Sequence, residues 1–165
     1  MTYSIKLIFL GIVFFFIFSS HLSAQDKCDI SNLSIKQKQE LQSFWDSLKN
    51  AVNNKDKIAL ASLFHFSFNC SICNSKSSKP YVVVNKKLFY REYYKIFFSA
   101  YFSEAINNHE ILEILNGDKL ENGSCGYSFS FPIVKPSPKW EGLQGFLTVK
   151  EMDNKYKVFS AWSVP

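Results

Sequence analysis

Arginine is nearly missing from this chain: Arg91 stands alone among 19 basic residues. The planar, bidentate contacts that guanidinium groups make to guanine and phosphate are therefore scarcely available. The lysines are scattered from Lys36 to Lys157 instead of forming a stripe, so nucleic acid is not an expected partner. A membrane-spanning run is also lacking. The longest apolar stretch, Leu7 to Phe18, is about a dozen residues where a spanning helix wants about 20. No cysteine directly follows that stretch, Cys28 lying four residues beyond Ala24, which excludes the pattern of a lipid-anchored bacterial protein. No internal repeat and no domain linker break the chain.

What is present is apolar and aromatic. Of 165 residues, 47% are hydrophobic and 17% aromatic, enough for a real core in one ordinary domain. Residues 1–24 carry Lys6, the apolar run and then the small residues Ser23 and Ala24 before Gln25, the make-up of a cleaved secretory signal. Removing them takes away one charge, leaving eighteen basic against fourteen acidic side chains, +4. The expected product is soluble, secreted or periplasmic, and keeps no stable membrane anchor.

The mature chain divides into a polar segment, 25–34, and a domain, 35–165. Leu41, Phe44, Trp45, Leu48 and Val52 recur on one helical face, predicting an amphipathic helix over about 35–53 with Ser34 as N-cap. Asp56 is placed to cap a second, short helix. From Phe64 the period changes to two, with Phe64, Phe66, Phe68, Cys70 and Ile72 alternating with polar partners, the pattern of a strand. Residues 74–80 read as a loop, and Tyr81–Val84 as a short strand. Asn85 then caps an aromatic helix reaching about Ile106. Beyond Asn107 the pattern is β-rich: a strand over 110–115, a turn at Asn116-Gly117-Asp118, and alternating strands around Tyr127–Ile133, Leu147–Val149 and Tyr156–Trp162. Trp140 falls in an irregular connection, and Asp153-Asn154 in a tight turn.

Four cysteines, Cys28, Cys70, Cys73 and Cys125, are an even number, and in an oxidising compartment disulfides are the default. Residues three apart in an extended strand face opposite sides, which favours linking Cys70 or Cys73 to a distant cysteine. A local bridge stays open if the strand ends at Asn69. Thiol exchange at Cys70-Ser71-Ile72-Cys73 lacks the following helix that would activate a thiolate. Zinc ligation with His65 or His109 lacks a second ligand pair. No metal or cofactor is expected. His65 and His109 read as surface residues. Tyr90, Tyr93, Tyr94 and Tyr101, with Glu92 and Glu104, contain the types for an acid and a base without a spacing that selects any pair.

The order helix, short helix, strand, third helix and closing antiparallel strands resembles the nuclear transport factor 2-like superfamily, which includes ketosteroid isomerase-like proteins, over roughly Ile35 to Val164. The resemblance is carried by Phe44-Trp45 and Ala51 before Lys55-Asp56, by Leu60, Leu63 and Phe64, by Phe89, Tyr94, Ile96 and Phe97, and by Tyr156-Lys157-Val158 with Trp162. It looks most like the small exported bacterial members. The resemblance implies an α+β, cone-shaped roll of about three helices on a curved antiparallel sheet, with an apolar cavity at the open end. A cystatin-like helix on a sheet is the other architecture this pattern fits. Within the roll, the pocket candidates are Tyr94, Phe97, Tyr101, Phe129, Phe131 and Trp162. The expected function is a non-catalytic exported module that binds a small apolar ligand or an envelope protein through the cone mouth, with a homodimer open. The alternative is an isomerase- or hydrolase-type enzyme with an acid/base pair in the cavity. Neither family catalytic set maps onto these residues.

Overall fold

In a computed structural model of the chain, the residues described are 28–73, 80–134, 137–139 and 141–164. The expected signal at 1–24, the loop residues 74–79 and Trp140 lie outside them. The first helix, α1 (Ile35–Asn53), begins at a capping box: Ser34 accepts from the Gln37 amide at 3.2 Å, and the Gln37 side chain accepts from the Ser34 amide at 3.0 Å. Its predicted stripe, Leu41, Phe44, Trp45, Leu48 and Val52, is buried together with Ala51. Asp56 accepts from the amides of Ile58 and Ala59, both at 2.9 Å, and starts α2 (Lys57–Ser62).

The strands are β1 (Phe64–Cys70), β2 (Val82–Val84), β3 (Asn116–Lys119), β4 (Cys125–Val134), β5 (Leu143–Met152) and β6 (Lys155–Val164). They form one curved sheet in the order β2-β1-β6-β5-β4-β3. Every neighbouring pair is antiparallel except β1 with β6. That parallel pair departs from the all-antiparallel expectation. The chain between the two strands carries helices and four other strands, and a connection of that length lets distant strands run the same way.

The aromatic third helix is not continuous. Asn85 caps α3 (Lys86–Leu88), a π-helical turn follows over Phe89–Tyr93, and α4 (Tyr94–Phe97) stops before Ser99 caps α5 (Ala100–Asn107). The π turn and the break each change the helical phase. Phe102 is therefore the ring turned inward, while Tyr101 is 37% exposed.

Two β expectations are also corrected. Residues 111–114 form a helical turn, α6 (Ile111–Ile114): the Glu113 amide donates to the Glu110 carbonyl at 3.1 Å, and the Glu113 side chain accepts from the Glu110 amide at 3.4 Å. Asn116-Gly117-Asp118 belongs to β3, and the turn moves on to Leu120–Ser124, where Gly123 takes φ +78°. Gly117 serves another purpose, since a Cβ there would overlap the carbonyl of Cys28.

Between helices and sheet the core is a mass of rings. Trp45 meets Phe129 edge-on at 4.9 Å, Phe102 meets Phe131 at 4.7 Å, and Phe64 lies 4.9 Å from both Phe89 and Phe97. Two disulfides close the ends, Cys28–Cys125 and Cys70–Cys73, each with Cα atoms 5.3 Å apart. The second is local, against the favoured distant pairing. β1 ends at Cys70, and the turn through Ser71 brings Cys73 back beneath it. Ser71 is held by its amide on the Ala161 carbonyl at 2.8 Å and by its hydroxyl, which accepts from the Ser163 amide at 3.0 Å.

Candidate functional site

The β5–β6 hairpin turns through Asp153 and Asn154, with φ of 51° and 59°. Two consecutive positive φ values are the signature of the hairpin turn whose twist suits its strands, and after glycine Asp and Asn tolerate them best. The turn holds Asn154 beyond the end of the sheet, beside α1. Two clefts of about 530 Å³ each meet there and share Asn154 and Tyr156. The first lies under the N-terminal segment, between Asp29, Gln37, Tyr127 and Glu151. The second runs between Glu40 and Ser43 of α1, Ser62 at the end of α2 and Lys157 of β6. A third, of about 320 Å³, continues along α1 to Asn54 and shares Ser47, Ser62 and Leu63 with the second.

Tyr156 stands at the junction. It is 3% exposed, its ring lies 6.1 Å from that of Tyr127, which is 5% exposed, and its hydroxyl reaches no hydrogen-bond partner among the described residues. Burial raises the Tyr156 phenol well above the usual tyrosine range, and Tyr127, Glu151 and Glu40 push it the same way. Burial, then Glu151, also raises Tyr127. Both hydroxyls thus remain protonated at neutral pH, and that of Tyr156 is enclosed, with almost no surface open to the clefts. Around them Lys150, Lys155 and Lys157 face Asp29, Glu40, Glu151 and Asp153, so neither sign of charge dominates.

The residues expected to line an apolar pocket do not converge on these clefts. Phe97, Phe129 and Phe131 are fully buried with Phe102 inside the roll. Tyr94 lies on the helical side with the Lys57 ammonium 4.3 Å from its ring centre. Trp162 faces outward, stacked on Phe146 at 4.1 Å and donating to the Thr148 hydroxyl at 3.3 Å. A bulge places it there: Thr148 pairs with Ser160 but Val149 with Val158, so Phe159 is an extra residue that inverts the alternation and turns Ala161 inward instead.

The other singled-out groups are dispersed. His109 is exposed and its carbonyl accepts from the Trp45 indole at 3.1 Å. His65 is partly buried on β1, and Glu92 pairs with Arg91 at 2.6 Å. Cys70 and Cys73 are spent on their disulfide, and no group of His, Cys, Asp or Glu among the described residues is arranged to hold a metal ion. No helix among them is long and apolar enough to cross a membrane. The sequence reading placed Tyr127, Tyr156 and Asn154 in their strands and turn without assigning them a site. The available signal was two inward tyrosines near strand ends, where a phenol needs a partner.

No protein-family model matches the chain, and no curated protein matches it significantly. Among solved structures it is similar to Aln2 from a Streptomyces species, with a TM-score of 0.48 and 8% identity over 79% of this chain and 91% of that one. It is also similar to an NTF-2 like protein of unknown function from Shewanella oneidensis, with a TM-score of 0.40 and 12% identity over 76% and 96% of the two chains.

Proposed function

We propose that the protein is an exported binding module that holds a small neutral ligand in the paired clefts joined at Tyr156. The observation supporting this is the meeting of two clefts at Asn154 and Tyr156, with the Tyr156 hydroxyl enclosed in their shared wall and without a partner among the described residues. A buried polar group left unpaired costs stability, and a ligand oxygen that accepts from it would remove that cost. The balanced charges favour a neutral ligand, and the polar walls move the reading away from a purely apolar one. Export rests on the signal-like residues 1–24 and is supported by the two disulfides, which persist in oxidising compartments. Saturation-transfer NMR with a panel of neutral carbonyl and hydroxyl compounds tests the site. Tyr156→Phe should weaken any hit roughly fivefold, the worth of about one net hydrogen bond. Binding indifferent to that change would refute the assignment.

Glu40 favours the enzyme reading as a second. Its side chain is 23% exposed, lines the cleft that Tyr156 also lines, and acts electrostatically on that phenol. A carboxylate facing a neutral phenol has the types of an acid/base pair. Turnover of a bound compound that is lost in Glu40→Gln, with binding kept, would establish this reading; binding without turnover leaves the module.

A further inference from the structure

We propose that Asn122 is a site of spontaneous covalent modification, its carboxamide closing on the Gly123 nitrogen to a succinimide that water opens to aspartate or isoaspartate. The reaction needs no partner but water. The Gly123 nitrogen loses its proton and attacks Cγ of Asn122, a new C–N bond forms, and the carboxamide C–N bond breaks to release ammonia. Water then adds to either imide carbonyl and reopens the ring. Glycine on the C-terminal side favours the attack because it has no Cβ to shield the nitrogen.

The sequence contains two such pairs, Asn116-Gly117 and Asn122-Gly123, and the fold separates them. Asn122 and Gly123 are exposed in the turn between β3 and β4, where Gly123 takes φ +78° with open space around its Cα. The Oδ1 atom of Asn122 accepts from the Ser124 hydroxyl at 2.6 Å and from the Ser124 amide at 3.2 Å. Two donors on that oxygen draw electron density from Cγ and receive the negative charge that gathers as the nitrogen adds, as donors do for the tetrahedral intermediates of acyl transfer. The opposing contact is the Gly123 amide on the Leu120 carbonyl at 2.8 Å, one turn hydrogen bond that must open before attack. Gly117 instead lies in β3, opposite Tyr127 and against the Cys28 carbonyl, and the Cys28–Cys125 bridge fixes that segment. Ring closure at Asn116 would have to swing this peptide out of the sheet. The product at Asn122 places a new carboxylate beside Glu121, and its isoaspartyl form lengthens the main chain by one carbon next to Ser124 and Cys125, which line the first cleft. Charge and backbone at that rim therefore change with the age of the protein.

The test is peptide mapping of the purified chain after weeks at neutral and mildly alkaline pH, both products being detected by the mass gained when NH2 is replaced by OH. Asn122 should convert at least roughly tenfold faster than Asn116, and faster at the higher pH, whereas the reduced chain in urea should convert the two at similar rates. Ser124→Ala removes the hydroxyl donor and should slow Asn122 roughly threefold to tenfold, less than an enclosed oxyanion donor is worth because water can replace it. Asn116 in the same sample reports whether the variant is folded, since unfolding would raise its rate to that seen in urea. Conversion of Asn122 no faster than that of Asn116 in the native chain would overturn the assignment, and an unchanged rate in folded Ser124→Ala would overturn the role given to its hydroxyl.

Discussion

Tyr156 combines deep burial with an unused hydroxyl, and this makes its contribution to stability readable by pH. An unfolded tyrosine ionises near pH 10, while in the fold burial keeps Tyr156 protonated beyond that. Above about pH 10 the folded state therefore holds more protons than the unfolded state, and stability falls as pH rises. Tyr156→Phe should flatten this alkaline decline in urea-unfolding midpoints. At neutral pH it should leave stability unchanged or raise it by up to about 1–2 kcal/mol, because it removes an unpaired buried polar atom. A marked loss at pH 7 would mean that the hydroxyl has a partner in solution. The phenol's environment was not legible in the sequence, since the two-residue period of β6 shows that Tyr156 points inward but not that its hydroxyl is enclosed without a partner among the described residues.

The elements that the sequence specified best were those whose determinants are local. Ser34, Asp56 and Asn85 cap the helices where their side chains suggested, because a cap bonds amides two or three residues away. The elements that differed depend on distant partners. Gly117 reads as turn chemistry beside Asn116 and Asp118, yet it lies in an edge strand pressed against the N-terminal segment at Cys28. Gly117→Ala should cost about 1–3 kcal/mol, at the upper end for overpacking because the obstacle is backbone, measured as a shift in denaturation midpoint. A substitution without effect would mean that the Cys28 segment does not pack there. The expected strand at 110–115 gave way to a helical turn for a related reason, since its leading residue is held from a distance: the Glu110 carboxylate accepts from Gln42 and Lys49 of α1 at 3.3 and 3.1 Å.

For the molecule as a whole the two disulfides are unequal. In the chain-entropy account, a bridge spanning 97 residues stabilises by about 4–5 kcal/mol and one spanning three by about 2 kcal/mol or less. Cys28→Ser with Cys125→Ser should therefore lower thermal stability much more than Cys70→Ser with Cys73→Ser. Intact protein should weigh less than its reduced form by the four hydrogens of two bridges, and four free thiols would contradict the structure. Sequence alone determined the caps, the buried face of α1, the inward phenylalanines of β1 and β4 and the α+β order, because hydrophobic period and capping chemistry act within a few residues. Tertiary structure alone decided the cysteine pairing, the parallel β1–β6 contact, the outward turn of Trp162 and the meeting of Tyr156 with α1. Each of these depends on contacts between distant segments or on a phase change, such as the bulge at Phe159 or the π turn in the aromatic helix, that shifts which face is buried without leaving a periodic trace.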